Sequence, residues 1–230
     1  STVFPHEDWL GWKGFDVKAI AKEKRAKLLS FIKQVHSLNA FSTTFRKVID
    51  DLVRYGNCFT KVGYVNETQT EDDESVSGYV GPKPLRISPY DIVFNPSVSD
   101  FTKTPKIITS LISTGEFKEF VDSLGDKSEI SSEQLRLLLN RRSGGDSDNS
   151  DIDKEPQYIA AGFGSIKEYY TSGMVELLWF YGDIFDSVGH DIYKGRCVIV
   201  VDGNTVIYDE YEPKSKIFKG SWKPRPDNLW

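Results

Sequence analysis

A change from helix to strand is predicted at residues 50–59, which read Asp50-Asp51-Leu52-Val53-Arg54-Tyr55-Gly56-Asn57-Cys58-Phe59. Apolar residues at helical spacing precede Gly56, and glycine adopts the left-handed backbone that ends a helix without steric cost. Residues from Cys58 to Val65 are rich in Thr, Val, Tyr and Phe, which favour strands. The sequence therefore predicts a helix that stops at Gly56 and turns directly into a strand.

Two helices are predicted before this turn. The first runs from Asp16, a candidate N-cap, to about Leu38, and it sets an apolar stripe opposite a basic side. The second helix follows Asn39, which could cap it. Because the connection between them is so short, the two helices are expected to pack antiparallel.

Extended structure is predicted after the first strand. Residues 67–74 contain five carboxylates and almost no apolar side chain, which predicts a solvent-exposed, hairpin-like excursion. Residues 78–80 return as a strand, and residues 92–94 are predicted to form a short buried strand. Since proline lacks the N–H that a sheet ladder needs, short extended pieces are predicted around Pro82, Pro84, Pro89 and Pro96.

The second half of the chain is predicted to alternate between helices and hairpins. Residues 107–113 fit strand or helix, and a helix that continues toward Gly115 is favoured. Further helices are predicted at 116–124, 131–142 and 165–171, the second with a capping-box start at Ser131-Ser132-Glu133-Gln134. Strands are predicted at 175–186, 196–201 and 205–208, the last two flanking the hairpin signal Asp202-Gly203-Asn204. The C-terminal segment, residues 212–230, is expected to be extended and held by Trp222 and Trp230.

Together these elements predict an α+β fold, with two N-terminal helices packed on a mixed or antiparallel sheet with long hairpins and further short helices in the middle. At 230 residues the chain can bury a sizeable core. Residues 1–230 are expected to form a single domain or a fragment of a larger subunit, with a flexible loop at 143–155. The first residue is Ser1 rather than Met, which indicates a processed product or an excised fragment.

Charge and cysteine content narrow the class of protein. The formal net charge of −5 argues against a protein that coats nucleic acid, although a channel through which DNA slides should not grip phosphates tightly. Cys58 and Cys197 lie in apolar, strand-like runs and are predicted to be buried, reduced thiols, which fits an intracellular compartment. No apolar run approaches the roughly 20 residues that span a bilayer, so no membrane association is expected.

No catalytic, cofactor-binding or metal-binding residue is predicted. The three histidines, His6, His36 and His190, have no metal-ligand spacing. The acidic residues 146–157 lack the glycine and the final glutamate of a calcium-binding EF-hand loop. Residues 162–165, Gly162-Phe163-Gly164-Ser165, lack the third glycine of a dinucleotide fingerprint and are interpreted as a turn.

Basic residues in two regions are candidates for contact with DNA or with other subunits. Subunit contact is an equal rival in the C-terminal segment, and a merely solvated helix side is the alternative in the first helix. The candidates are Lys18, Lys22, Lys24 and Arg25 in the first helix and Lys214, Lys216, Lys219, Lys223 and Arg225 in the C-terminal segment.

Four groups of residues resemble portal proteins of tailed bacteriophages. The first is the turn at 54–57 leading into a strand, and the second is Gly81-Pro82 followed by Ile87-Ser88-Pro89-Tyr90-Asp91-Ile92-Val93-Phe94. The third is the strand Trp179-Phe180-Tyr181-Gly182-Asp183 together with the hairpin at 202–204. Residues 224–230 resemble the proline-rich approach to the next segment of such proteins.

The resemblance implies the wing-like α+β region of a portal subunit, the head-to-tail connector of the virion. Portal subunits form a dodecameric ring at one capsid vertex, are assembled in the host cytoplasm, and let double-stranded DNA pass during packaging and ejection. Their partners are copies of themselves, the terminase motor, the capsid and the tail or adaptor proteins. Portals are not enzymes and need no cofactor, and their stem and clip would lie beyond Trp230.

Two alternatives come from other classes of protein. One is a metal-dependent nuclease or hydrolase domain that uses scattered carboxylates. The other is a phage adaptor module that binds only protein partners.

Overall fold

The structure is a computed structural model that describes residues 19–38, 40–66, 69–71, 74–76, 79–96, 100–144, 155–160, 162–185 and 192–222. Its helices are α1 (Ala19–Leu38), α2 (Phe41–Tyr55), α3 (Thr114–Leu124), α4 (Ser132–Gly144), α5 (Glu155–Ala160) and α6 (Ile166–Thr171), with a 3-10 turn at Gly125–Lys127. Its strands are β1 (Asn57–Asn66), β2 (Gln69–Glu71), β3 (Glu74–Val76), β4 (Val80–Ile87), β5 (Ile92–Phe94), β6 (Lys106–Ser113), β7 (Met174–Phe185), β8 (Ile192–Val201), β9 (Thr205–Tyr211) and β10 (Ile217–Ser221). The predicted α+β class is confirmed.

The strands form three sheets, and every strand pair in the described part of the chain is antiparallel. The largest sheet has the order β5-β6-β7-β8-β9, the second has the order β10-β1-β4, and β2 and β3 pair as a hairpin. Within the segment predicted to be hairpin-like, the described residues Gln69–Glu71 and Glu74–Val76 do pair as a hairpin.

One face of the five-stranded sheet carries the core. Side chains at alternate positions of a strand share a face, so Val175, Leu177 and Tyr181 of β7 point to the same side. Val175 and Leu177 pack with Phe117 of α3, whereas Tyr181 packs with Phe59 of β1. This inner face is thus covered at one end by helices and at the other end by the three-stranded sheet.

The turn that opens the sequence analysis is formed as predicted. Gly56 has φ +73°, and its N–H donates to the carbonyl of Leu52 at 3.0 Å, which closes α2. At the start of α2, however, the preceding residue is Ala40, with a left-handed backbone (φ +50°) and no side-chain cap. Asn39, the predicted cap, and Asp16, the predicted cap of α1, lie outside the described residues.

The helix favoured for residues 107–113 was wrong. Lys106 and Ile108 are buried while Ile107 and Leu111 are exposed, which is the period-two alternation of a half-buried strand. The segment pairs with β5 on one side and with β7 on the other, and a helix starts only after Ser113.

Proline does not break β4 into pieces, contrary to the prediction. Pro82 pairs with Tyr64 and Pro84 with Val62 within one continuous strand. β4 bonds to β1 on one side only, and an edge strand tolerates residues that cannot donate.

The prediction for the C-terminal segment, an extended chain, did not include the sheet strand that it contains. Residues 217–221 form β10, an ordered sheet strand beside β1. The Trp222 side chain is 66% exposed, although its N–H donates to the Gly56 carbonyl at 3.0 Å, and Trp230 lies outside the described residues. The short helix α5 was not predicted, and α4 extends to Gly144, into the loop predicted at 143–155, of which residues 145–154 are not described.

Candidate functional site

A groove opens on the inner face, between the helices that cover one end of it and the three-stranded sheet that covers the other end. Its floor is the five-stranded sheet, with Trp179, Tyr181 and Cys197, and its volume is about 400 Å³. Residues 61–64 of β1 form one wall, and the C-terminal end of α3 with its 3-10 turn forms the other. The groove therefore follows from the fold, because neither the helices nor the small sheet is wide enough to cover the whole face.

Lys61 of β1 is the central side chain of the groove. Its Nζ atom lies 4.1 Å from the centre of the Trp179 ring and 5.4 Å from that of Tyr181. Within the described residues this ammonium group has no hydrogen bond and no ion pair. Burial lowers the pKa of Lys61, and the nearby Glu212 acts in the opposite direction. The faces of the Trp179 and Tyr181 rings add a cation–π attraction.

Trp179 is held as a rigid platform for that amine. Its indole Nε1–H donates to Ser110 Oγ at 3.0 Å, across the β6–β7 ladder. Phe120 of α3 packs against the same indole with ring centres 5.5 Å apart.

The thiol and the phenol in the floor stay protonated near neutral pH. Burial raises the pKa of Cys197 to about 11, and it also raises the pKa of Tyr181. A nucleophilic thiol needs a lowered pKa, so Cys197 is placed as a structural residue. Both cysteines are buried and free, as the sequence predicted.

The charges around the groove are predominantly positive. Its lining holds Lys61, Lys127, Lys216 and Glu212, a formal charge of +2 on a chain whose net charge is −5. Lys216 bonds to Glu212 at 3.1 Å, and Lys127 is exposed at the rim. The groove therefore suits a ligand that carries negative charge.

Two segments that carry the family resemblance contact each other. Asp51 of α2, 3% exposed, accepts two hydrogen bonds from Arg86 of β4 at 2.5 and 2.7 Å. The rings of Tyr55 and Tyr90 meet edge to face with centres 5.4 Å apart. A salt bridge and an aromatic pair thus fasten the helix-to-strand turn to the proline-rich segment.

The predicted basic residues do not converge on one described surface. Lys22, Lys24 and Arg25 are exposed on α1, which packs against α2, and Lys214 is exposed in the turn before β10. Lys216 is engaged by Glu212, and burial lowers the pKa of Lys219 to about 8. The remaining candidates, Lys18, Lys223 and Arg225, lie outside the described residues.

Within the described ranges, no group of three or more His, Cys, Asp or Glu side chains could hold a metal ion. His36 stacks on Phe41 at 4.1 Å, and burial lowers its pKa. His6, His190 and the acidic residues 146–153 are outside the described part. No described helix has the length and apolar character to cross a bilayer.

The glycine pair before α6 forms a turn, as interpreted from the sequence. Ser165 caps the helix by accepting the N–H of Glu168 at 3.1 Å. The Glu168 carboxylate in turn accepts the N–H of Gly164 at 2.7 Å. A carboxylate of the chain thus occupies the position that a phosphate would need.

The other face of the five-stranded sheet, here called the outer face, exposes several aliphatic side chains and also carries the Arg196–Asp209 ion pair. Val93, Ile107 and Phe180 lie side by side across β5, β6 and β7 in the strand register. Val93 is 62% exposed, and Ile107, Leu111 and Val206 are also exposed. Exposed aliphatic side chains grouped on one sheet face are typical of an interaction surface.

The groove was not predicted from the sequence, although one signal pointed to it. Lys61 alternates with Phe59 and therefore occupies an inward position of a predicted strand, where a charge is unusual. Trp179 could not be linked to it, because their contact depends on how the two sheets pack.

Comparison with known proteins gives no identification. No protein-family model matches the chain, and no curated protein matches it.

Proposed function

We propose that this chain is the wing-like α+β region of a tailed-phage portal subunit and that it works through contacts rather than catalysis. In this role the subunit forms part of a ring at a capsid vertex, and double-stranded DNA passes through the ring. Copies of itself, the terminase motor, the capsid and the tail proteins are the proposed partners.

The exposed outer face is the observation that carries this proposal. A sheet face lined by Val93, Ile107, Leu111 and Val206 exposes apolar area that water disfavours. An assembly subunit can bury such a face against a neighbour, and this burial is a large favourable term in association.

The contact between the resembling segments adds support from inside the fold. The salt bridge of Asp51 with Arg86 and the ring pair of Tyr55 with Tyr90 join residues far apart in sequence. The segments quoted for the resemblance are therefore joined by direct contacts, which supports their acting together in a rigid ring subunit.

DNA contact is proposed only for the exposed basic side of α1. Lys22, Lys24 and Arg25 are exposed there, while Lys27 is already paired with Glu23 at 2.8 Å. A few exposed cations on an acidic body attract phosphates weakly and with strong salt dependence, which suits sliding rather than tight binding.

Native mass spectrometry and electron microscopy of the chain over a range of concentrations test the proposal. We expect closed ring oligomers with a central channel, and no DNA cleavage with or without divalent metal. A chain that stays monomeric at all concentrations and cleaves DNA with metal would instead support the nuclease alternative.

A further inference from the structure

The groove lining carries more positive than negative formal charge. A half-buried ammonium group is normally matched by an acceptor or a carboxylate, because desolvating a charge is costly. Lys61 lies against aromatic rings and near Glu212, but it has no hydrogen bond or ion pair within the described residues, and neither does Lys127 at the rim. The one carboxylate in the lining, Glu212, is bonded to Lys216.

The chain itself contains a segment of complementary charge. Residues 67–74 hold Glu67, Glu71, Asp72, Asp73 and Glu74 and no lysine or arginine. The pairing of β2 with β3 sets Gln69 opposite Val76 at the base of the hairpin and Glu71 opposite Glu74 at the other end. Glu71 and Glu74 thus pair at the end of the hairpin that is farther from β1 and β4 along the chain.

We propose that the groove of one copy receives the acidic hairpin of a second copy. This inference rests on the proposed function, in that it names a subunit contact of the ring. The carboxylates of the hairpin would supply Lys61 and Lys127 with the acceptors that they lack.

The geometry favours a second copy over the chain's own hairpin. Residues 61–64 of β1 form the groove wall, and β1 continues past this wall to Asn66, which still pairs with Val80 of β4. A contact between two different surfaces of one chain is heterologous, and heterologous contacts repeat around a rotation axis to close a ring.

A fluorescent peptide of residues 66–77, titrated with the full chain at low protein concentration, tests the contact directly. We expect saturable binding that weakens as salt rises from about 50 to 200 mM, because screening shortens the reach of charges. A peptide in which the acidic residues are replaced by Asn and Gln should not bind.

Two groove variants and one control locate the binding site. Lys127→Glu, at an exposed position where folding is insensitive, should weaken peptide binding about two- to fivefold or more, as expected for exposed ion pairs. Lys61→Met should weaken it as well, and the double variant should abolish saturable binding. Lys118→Glu makes the same charge change on the exposed side of α3, away from the groove lining, and should leave the affinity unchanged.

The outcomes separate this inference from the proposed function. Equal binding of the acidic and neutral peptides, or equal loss in Lys118→Glu and Lys127→Glu, overturns the groove contact. If rings form and persist in the Lys61→Met/Lys127→Glu chain, the contact is wrong and the portal proposal stands. If the peptide binds in the groove but no ring ever forms, the contact stands and the portal proposal fails.

Discussion

Two stacked tyrosines differ in what their hydroxyl groups do. Tyr158 and Tyr169 are both fully buried, with parallel rings 4.1 Å apart. The hydroxyl of Tyr169 donates to Asp202 at 2.6 Å and accepts the N–H of Glu176 at 2.7 Å. The hydroxyl of Tyr158 has no hydrogen-bond partner within the described residues.

We therefore expect opposite outcomes from the same substitution. Tyr169→Phe leaves the buried Asp202 carboxylate and the Glu176 N–H each short of a partner, and should lower the free energy of unfolding by about 1–3 kcal/mol. Tyr158→Phe removes an unsatisfied group and should leave stability unchanged or raise it. Urea unfolding of both variants measures the difference, and equal losses would contradict this account.

Arg86 provides the second test at this scale. Asp51 is buried, whereas the Arg86 side chain is one-third exposed, so the two partners are not equivalent. Arg86→Met leaves a buried carboxylate without its cation and should cost about 3–5 kcal/mol, as for other broken buried pairs. Asp51→Asn/Arg86→Met should recover part of that loss, because no charge is then buried. Urea midpoints of the single and double variants provide the measurement, and a double variant no more stable than the single one would count against the pairing.

At the scale of elements, α3 depends on a reciprocal cap. Ser113 Oγ accepts the N–H of Glu116 at 3.2 Å, and the Glu116 carboxylate accepts the N–H of Ser113 at 2.8 Å. These hydrogen bonds from Ser113 hold the pKa of Glu116 below its ordinary value of 4.5. The cap fixes where β6 ends and α3 begins, and so sets the helical wall of the groove.

Ser113→Ala should cost about 1 kcal/mol at neutral pH. Because the folded-state pKa of Glu116 is depressed, its contribution is present above about pH 4.5 and is lost as pH falls through the folded value. The stability difference between the wild type and Glu116→Gln should thus be clear at about pH 7 and shrink toward about pH 3. Urea unfolding across this range checks the sign, and a difference that grows in acid would contradict it.

Turns that depend on the backbone preferences of a few adjacent residues could be predicted from the sequence. Elements whose conformation depends on contacts with distant residues could not. Gly56 and Asp202-Gly203-Asn204 need backbone conformations that few residues adopt readily, so their turns were predicted. Residues 106–113 carry mixed signals, and pairing with β5 and β7 decides their conformation. The groove lies beyond such prediction because it exists only where Lys61 packs over Trp179.

On the scale of the whole molecule, the outer face should control assembly without controlling folding. Val93→Thr/Ile107→Thr keeps two β-branched residues in their strands but removes apolar surface that is already exposed. We expect little change in unfolding free energy and a clear loss of oligomers by native mass spectrometry.

Two control substitutions test whether the effect is specific to the outer face and separate from folding. Leu137→Thr alters an exposed apolar residue of α4 and should leave assembly intact. Ile108→Thr, on the buried inner face, should destabilise the fold itself. Oligomers that survive the outer-face change would show that the outer face is not the assembly interface.

The three-stranded sheet can be completed only late in synthesis of the chain, because β10 follows β1 at a large sequence separation. Asn57 in β1 and Ser221 in β10 hydrogen-bond across a sequence separation of 164 residues. At ribosomal speeds of roughly 5–20 residues per second, β1 waits on the order of ten to thirty seconds for that neighbour. During this interval the hydrogen-bonding edge of β1 that β10 will occupy remains unpaired. Neighbouring nascent chains on the same mRNA are therefore most prone to mispair with this edge before β10 has been synthesised.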